Sequence, residues 1–198
     1  MPDLILASTS QIRLTLLRNA GVDIEAIPAR IDEETVKTSM LAEGAKPRDI
    51  ADALAEAKAR RVASKGIGGL VLGCDQVLEF EGALISKSES RDAAKALLKS
   101  MRGKRHTLFS AAVIYEDAEP VWRHVGQVRL HMRAASDAYI DDYVDRNWDS
   151  IRHSVGAYNL EEEGVRLMTR VEGDYFNVLG LPLIELLSYL SLRGTLPA

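Results

Sequence analysis

The stretch Leu4-Ile5-Leu6-Ala7-Ser8-Thr9-Ser10-Gln11-Ile12-Arg13 decides the fold at the start of the chain. An apolar run stops at three hydroxyl residues and a helical pattern follows at once, which predicts a strand, a tight turn and a helix. Such a helix start has unpaired N–H groups and partial positive charge, so it can hold an anion. Ser8 and Ser10 add hydroxyl groups, and Arg13 adds a planar cation that suits phosphate oxygens. The alternative is an ordinary capped helix whose arginine is solvated.

Composition limits the class of protein. The chain has 198 residues, of which 46% are apolar and 27% charged, as in a soluble globular domain. Its net charge of −4 argues against nucleic acid as a partner. Cys74 is the sole cysteine, which excludes an intrachain disulfide. No secretion signal and no membrane-length apolar run occur, so we expect a cytoplasmic protein without a membrane partner.

Helical and strand patterns alternate early in the chain, and hairpins follow. This order predicts an α/β fold with a mixed β-sheet and flanking helices. Neither G-x-G-x-x-G nor a Walker A motif is present, which argues against a dinucleotide fold or a P-loop. The predicted helices are 10–20, 47–64, 89–101, 136–146 and 182–193, and the predicted strands are 3–8, 22–28, 70–74, 77–80, 83–85, 105–115 and 121–133. Residues 29–46 are predicted to be a loop or a short helix, and 155–171 irregular or a short strand.

Asp75 is the strongest candidate for chemistry, because it is predicted to lie where an apolar strand ends. A carboxylate there can hold a divalent cation or accept a proton from water. Gln76 beside it carries an amide that can read a base edge. The alternatives are an ordinary turn aspartate and a solvent-exposed glutamine.

Further candidates are carboxylates and lysines. Asp32-Glu33-Glu34 is either a solvated face or a source of the one or two protein oxygens that Mg²⁺ takes. Lys58 lies on the apolar side of its predicted helix, so it either extends past the core or points into a cleft. Lys87, flanked by two serines, suits a phosphate or an ordinary loop.

Four sequence blocks resemble the Maf family of nucleotide pyrophosphatases, also called septum formation inhibitor Maf-like proteins, nearly from end to end. The opening Leu-Ala-Ser-Thr-Ser-Gln-Ile-Arg is similar to the family's Leu-Ala-Ser-x-Ser-Pro-Arg-Arg. The other blocks are Ala55–Ala59, Gly73–Val77, and the pair Gly156–Tyr158 and Glu172–Pro182. The resemblance implies a Maf/ITPase-like fold with two lobes around a central cleft, as a single domain over 1–198.

The resemblance also implies an activity and its residues. The family hydrolyses nucleoside triphosphates to monophosphate and pyrophosphate with a divalent cation, Mg²⁺ or Mn²⁺. Asp75 would activate water, in contact with the metal, and Asp32 or Glu33 would help to hold that metal. The phosphates would be bound by Ser8, Ser10, Arg13, Lys58 and Lys87. A homodimer is expected by resemblance alone.

Gln76 and two departures from the family pattern bear on the substrate. Asp-Gln resembles the family branch associated with 7-methyl-GTP, whereas the branch acting on dTTP and UTP usually has Asp-Thr. Ile12 replaces one expected arginine, and Ser86-Lys87-Ser88 replaces Gly-Lys-Pro. A dTTP/UTP pyrophosphatase, or a non-catalytic nucleotide-binding regulator of cell division, remains the alternative.

Overall fold

The computed structural model describes residues 2–197, which cluster into two compact units. Within the described residues, unit 1 comprises 2–76, 109–126 and 180–197. Unit 2 comprises Val77–Leu108 and Gln127–Leu179. The single domain over 1–198 stays a prediction.

The chain alternates strands and helices, as its patterning predicts. The strands are β1 (Leu4–Leu6), β2 (Ile24–Ala26), β3 (Val71–Phe80), β4 (Ala83–Ile85), β5 (Arg105–Glu116), β6 (Glu119–Met132) and β7 (Met168–Glu172). The α-helices are α1 (Gln11–Asn19), α2 (Glu33–Ala42), α3 (Pro47–Ala63), α4 (Arg91–Met101), α5 (Asp137–Ile151), α6 (Tyr175–Val178) and α7 (Leu183–Leu192). A 3₁₀ helix covers Glu163–Leu167.

The strands form a seven-stranded sheet in the order β2-β1-β3-β5-β6-β7, with β4 paired to β3. β1 runs parallel to β2 and β3, whereas the β3–β4 and β6–β7 pairs are antiparallel. The α/β class with a mixed sheet and flanking helices is therefore confirmed.

In unit 1, helix α3 packs directly on β3. Gly73 permits this contact, because a Cβ at that position would lie 2.1 Å from the carbonyl oxygen of Ala55 and 2.5 Å from the backbone nitrogen of Ala59. The buried side of α3 includes Leu54 and Lys58. The close packing thus holds Lys58 over the strand that carries Asp75.

Unit 2 has its own apolar core. Residues of β3, β5, β6, α4 and α5 meet there, including Leu78, Leu98, Leu130 and Ile140. The β3–β4 hairpin turns at Glu81 and Gly82, which both have positive φ angles (51° and 83°), as a two-residue hairpin turn requires.

Two details differ from the sequence prediction, at the end of β3 and at the turn between β5 and β6. Asp75 and Gln76 lie inside β3, so the prediction that the strand ends there is wrong. Residues 29–46 contain the ten-residue helix α2, which has no buried residue, so the prediction of a loop or a short helix there is confirmed. The turn between β5 and β6 is shorter than predicted, because Glu119 and Pro120 already belong to β6. None of the helices within 2–197 is long and apolar enough to cross a membrane.

Candidate active site

Lys58 joins two carboxylates in unit 1. Its Nζ donates to Asp75 Oδ1 at 2.5 Å and lies 2.8 Å from Glu33 Oε1. The side chains of Lys58 and Asp75 are 11% and 9% exposed, whereas that of Glu33 is 40% exposed. Three elements thus bring one cation and two anions together: α3 supplies Lys58, β3 supplies Asp75 and the first turn of α2 supplies Glu33.

The contact with Lys58 compensates the buried carboxylate of Asp75. A carboxylate in so buried a place is costly unless a cation and hydrogen bonds compensate it. Lys58 provides both a cation and a hydrogen bond. Cys74 beside it is an unsuitable nucleophile, because burial raises the pKa of its thiol to about 11.

The donor set fits a divalent cation of the magnesium type. Glu33 and Asp75 both contact the Lys58 ammonium, so two hard carboxylate groups lie close to each other. Within 2–197, no group of three His, Cys, Asp or Glu side chains forms a ready-made metal site. Two carboxylates completed by substrate phosphates and water are the ligand set that Mg²⁺ usually takes.

Asp32 is engaged in capping α2. Its Oδ1 accepts from the Thr35 backbone N–H at 3.0 Å, and its Oδ2 accepts from the Thr35 hydroxyl at 2.7 Å. These bonds hold the pKa of Asp32 below its usual range. The cap fixes the start of α2 and so the place of Glu33, while metal binding by Asp32 itself stays a prediction.

The turn after β1 is built as the sequence predicts. Ser10 is the N-cap of α1 and accepts from the Arg13 backbone N–H, and Ser8 Oγ accepts from the Ser10 N–H at 3.1 Å. The Arg13 guanidinium is directed to two backbone carbonyls: Nε donates to Gly180 O at 2.8 Å and Nη1 to Cys74 O at 3.1 Å. Arg13 therefore contacts the strand of Asp75 directly.

Gln76 has a buried partner that sequence reasoning missed. Its Nε2 donates to Ser110 Oγ at 3.0 Å, and Ser110 is fully buried on β5. The signal was present in the sequence, because a hydroxyl residue within the apolar run 108–115 needs a polar partner when buried. Gly180 was missed too, since its carbonyl interacts with Arg13 across 167 residues of chain.

The structure brings together some predicted site residues and separates others. Unit 1 contains all the candidate residues except Lys87. Lys87 is exposed and belongs to unit 2, just after β4, so its role at the phosphates stays a prediction.

Comparison with known proteins identifies the relatives of this chain. The family described as "Maf-like protein" matches residues 3–192. A protein of Roseobacter denitrificans is 65% identical over 194 residues, and one of Ruegeria pomeroyi is 63% identical over 193 residues. These alignments cover 98% of this chain in both cases, and 98% and 97% of the respective relatives. A protein of Caulobacter vibrioides is 49% identical over 96% of both chains. All three relatives are named nucleoside triphosphate pyrophosphatase.

Proposed function

This chain belongs to the Maf-like protein family, and on that premise we propose that it hydrolyses a modified nucleoside triphosphate, of the 7-methyl-GTP kind, to the monophosphate and pyrophosphate. The observation that carries the proposal is the contact of Lys58 with both Asp75 and Glu33. A buried carboxylate held by a lysine, beside a second carboxylate, suits water activation next to a highly charged substrate.

Asp75 is the general base in this proposal. Its carboxylate orients a water molecule and accepts its proton as the water attacks one phosphorus atom of the α–β anhydride. The bridging P–O bond breaks and pyrophosphate leaves the monophosphate. Proton transfer of this kind contributes about two to four decades in rate. Lys58 orients the Asp75 carboxylate through their hydrogen bond and lowers the repulsion between the site and the phosphates. Glu33 and Asp75 would hold the divalent cation, with Asp32 as a further ligand, and that cation would polarise the phosphoryl oxygens when bound.

The phosphates are bound at the start of α1 in this proposal. Ser8, Ser10 and the first-turn amides offer hydrogen-bond donors, and Arg13 adds positive charge at the same turn. Lys87 would neutralise a further phosphate oxygen. A cytoplasmic location and a homodimer remain predictions beside this proposal.

Replacement of Asp75 tests the catalytic assignment. Asp75→Asn keeps the size of the side chain but removes the base, so we expect Mg²⁺-dependent pyrophosphate release to fall at least about 100-fold with the fold intact. Asp92→Asn, at an exposed position in the first turn of α4, is the matched control and should keep the wild-type rate. Full activity of the Asp75→Asn enzyme would show that another group accepts the proton.

Gln76 supports the choice of a methylated purine. Its amide donates to the buried hydroxyl of Ser110, which fixes the side chain beside Asp75, and the Asp-Gln pair resembles the branch associated with 7-methyl-GTP. A panel of 7-methyl-GTP, GTP, dTTP, UTP and CTP measures the preference as ratios of kcat/KM. We expect the highest kcat/KM for 7-methyl-GTP, and we expect Gln76→Thr to lower the ratio of that value to the values for the other nucleotides. A wild-type preference for dTTP and UTP would instead favour the other branch.

A further inference from the structure

A side chain continues the row of backbone hydrogen bonds between β1 and β3 toward the candidate site. Ile5 N–H donates to Leu70 O and Ala7 N–H donates to Leu72 O, each at 2.8 Å. Acceptors that face one neighbour recur at every second residue of a strand, so Cys74 O is next in this row. The chain, however, leaves β1 and turns at Ser8 into the N-cap of α1. The next donor therefore comes from a side chain.

Arg13 supplies that donor. Its Nη1 donates to Cys74 O, and Nε of the same rigid plane donates to Gly180 O. Gly180 has a φ of +90°, and a Cβ there would lie 3.0 Å from Nη2 and 3.3 Å from Nε of Arg13. The guanidinium thus lies against bare backbone. A Cβ at position 180 would strain the positive φ and push the guanidinium by a few tenths of an ångström.

We propose that Arg13 is a positioning residue for Asp75, in an inference that rests on the proposed role of Asp75 as the base. Cys74 O belongs to the peptide unit that joins Cys74 to Asp75. By adding one more donor to the β1–β3 ladder, Arg13 fixes the plane of that peptide and with it the direction of the Asp75 carboxylate. Its main effect on the reaction passes through Asp75 and not through a phosphate contact.

Steady-state kinetics distinguish positioning from phosphate binding. Lysine keeps the positive charge but lacks the planar fork that spans two carbonyls. We expect Arg13→Lys to lower kcat about 100-fold while KM changes little, as for a base moved by about 1 Å. Gly180→Ala, which presses on the guanidinium from the other side, should show the same pattern. Arg18→Lys, exposed in the last turn of α1, is the matched control with wild-type values.

The opposite pattern would overturn the proposal. If Arg13 served mainly as a phosphate ligand, Arg13→Ala would raise KM strongly and Arg13→Lys would recover much of the loss. An unchanged kcat in Arg13→Lys, with only a lower melting temperature, would reduce Arg13 to a structural residue and would equally contradict the proposal.

Amide hydrogen exchange supplies a readout independent of turnover. Arg13→Lys should raise exchange in peptides covering β3 and the segment 178–183, whereas Arg18→Lys should not. Unchanged hydrogen exchange in these peptides would show that Arg13 does not stabilise the backbone of β3 and of the segment 178–183. If the wild-type protein released no pyrophosphate from any triphosphate, the proposed function would fail and the positioning role with it. If the wild-type protein released pyrophosphate and the Arg13 and Gly180 variants did so at the same rate, the positioning role alone would fail.

Discussion

The ion pair of Lys58 and Asp75 affects both the stability of unit 1 and the position of the candidate base. Both side chains are nearly buried, so each charge depends on the other for compensation. Removal of one partner from a buried pair is typically far more damaging than replacement of both, because the remaining charge is left uncompensated. The pair therefore ties the stability of unit 1 to the geometry of its candidate base.

Lys58→Met should expose this dependence. The substitution leaves Asp75 buried beside Glu33 without the shared cation, and we expect a loss of about 3 kcal/mol in the free energy of unfolding, together with loss of pyrophosphate release. Urea denaturation at pH 7 measures the change. The double variant Lys58→Met/Asp75→Asn should regain part of the stability but not the activity. A Lys58→Met protein as stable as wild type would mean that solvent already screens the pair.

Secondary-structure elements were predictable where local signals define them. Ser10 and Ser136 cap the helices that follow them, and the Glu81-Gly82 turn lies where the sequence places it. The end of β3 was not predictable from such signals, because Asp75 and Gln76 are satisfied by Lys58 and Ser110, which lie 17 and 34 residues away. Residue types identified the candidate site, but the contact of Lys58 with two carboxylates depends on tertiary packing that spacing does not encode.

The packing of α3 on β3 gives a prediction at the scale of these elements. Gly73→Ala places a Cβ against the backbone of Ala55 and Ala59, so α3 must move away from the strand and take Lys58 with it. We expect a loss of about 3 kcal/mol in the free energy of unfolding, at the upper end for an overpacked core, and a lower kcat. Thermal unfolding and pyrophosphate release measure the two effects. Gly68→Ala is the control, since nothing lies within 4 Å of a Cβ there. Equal behaviour of the two variants would contradict the close packing.

On the scale of the whole molecule, two groups of unit 2 make the stability of the protein depend on pH. Glu33, Lys58 and Asp75 belong to unit 1, whereas His106 and Glu163 belong to unit 2. Burial lowers the pKa of His106 to about 4, and hydrogen bonds from Arg146 and Asn147 lower the pKa of Glu163 to about 2. Both groups bind protons more readily in the unfolded chain, so both make stability fall as the pH falls. The pH ranges over which they lower stability differ: about 6.5 to 4 for His106 and about 4.5 to 2 for Glu163.

His106 should therefore dominate the first loss of stability on acidification. It is 1% exposed, its Nε2 lies 2.7 Å from the Tyr158 hydroxyl, and its Nδ1 finds no hydrogen-bond partner within 2–197. Because the folded protein keeps this ring neutral, its contribution is complete above pH 6.5, and about 3 kcal/mol is lost as the pH falls to 4. Urea denaturation at half-unit pH steps measures the slope. His106→Phe should flatten the curve between pH 6.5 and 4 whatever its effect at pH 7, while exposed His153→Gln should leave the slope unchanged. A slope that survives in His106→Phe would assign the acid sensitivity to another group, because no proton can then bind at position 106.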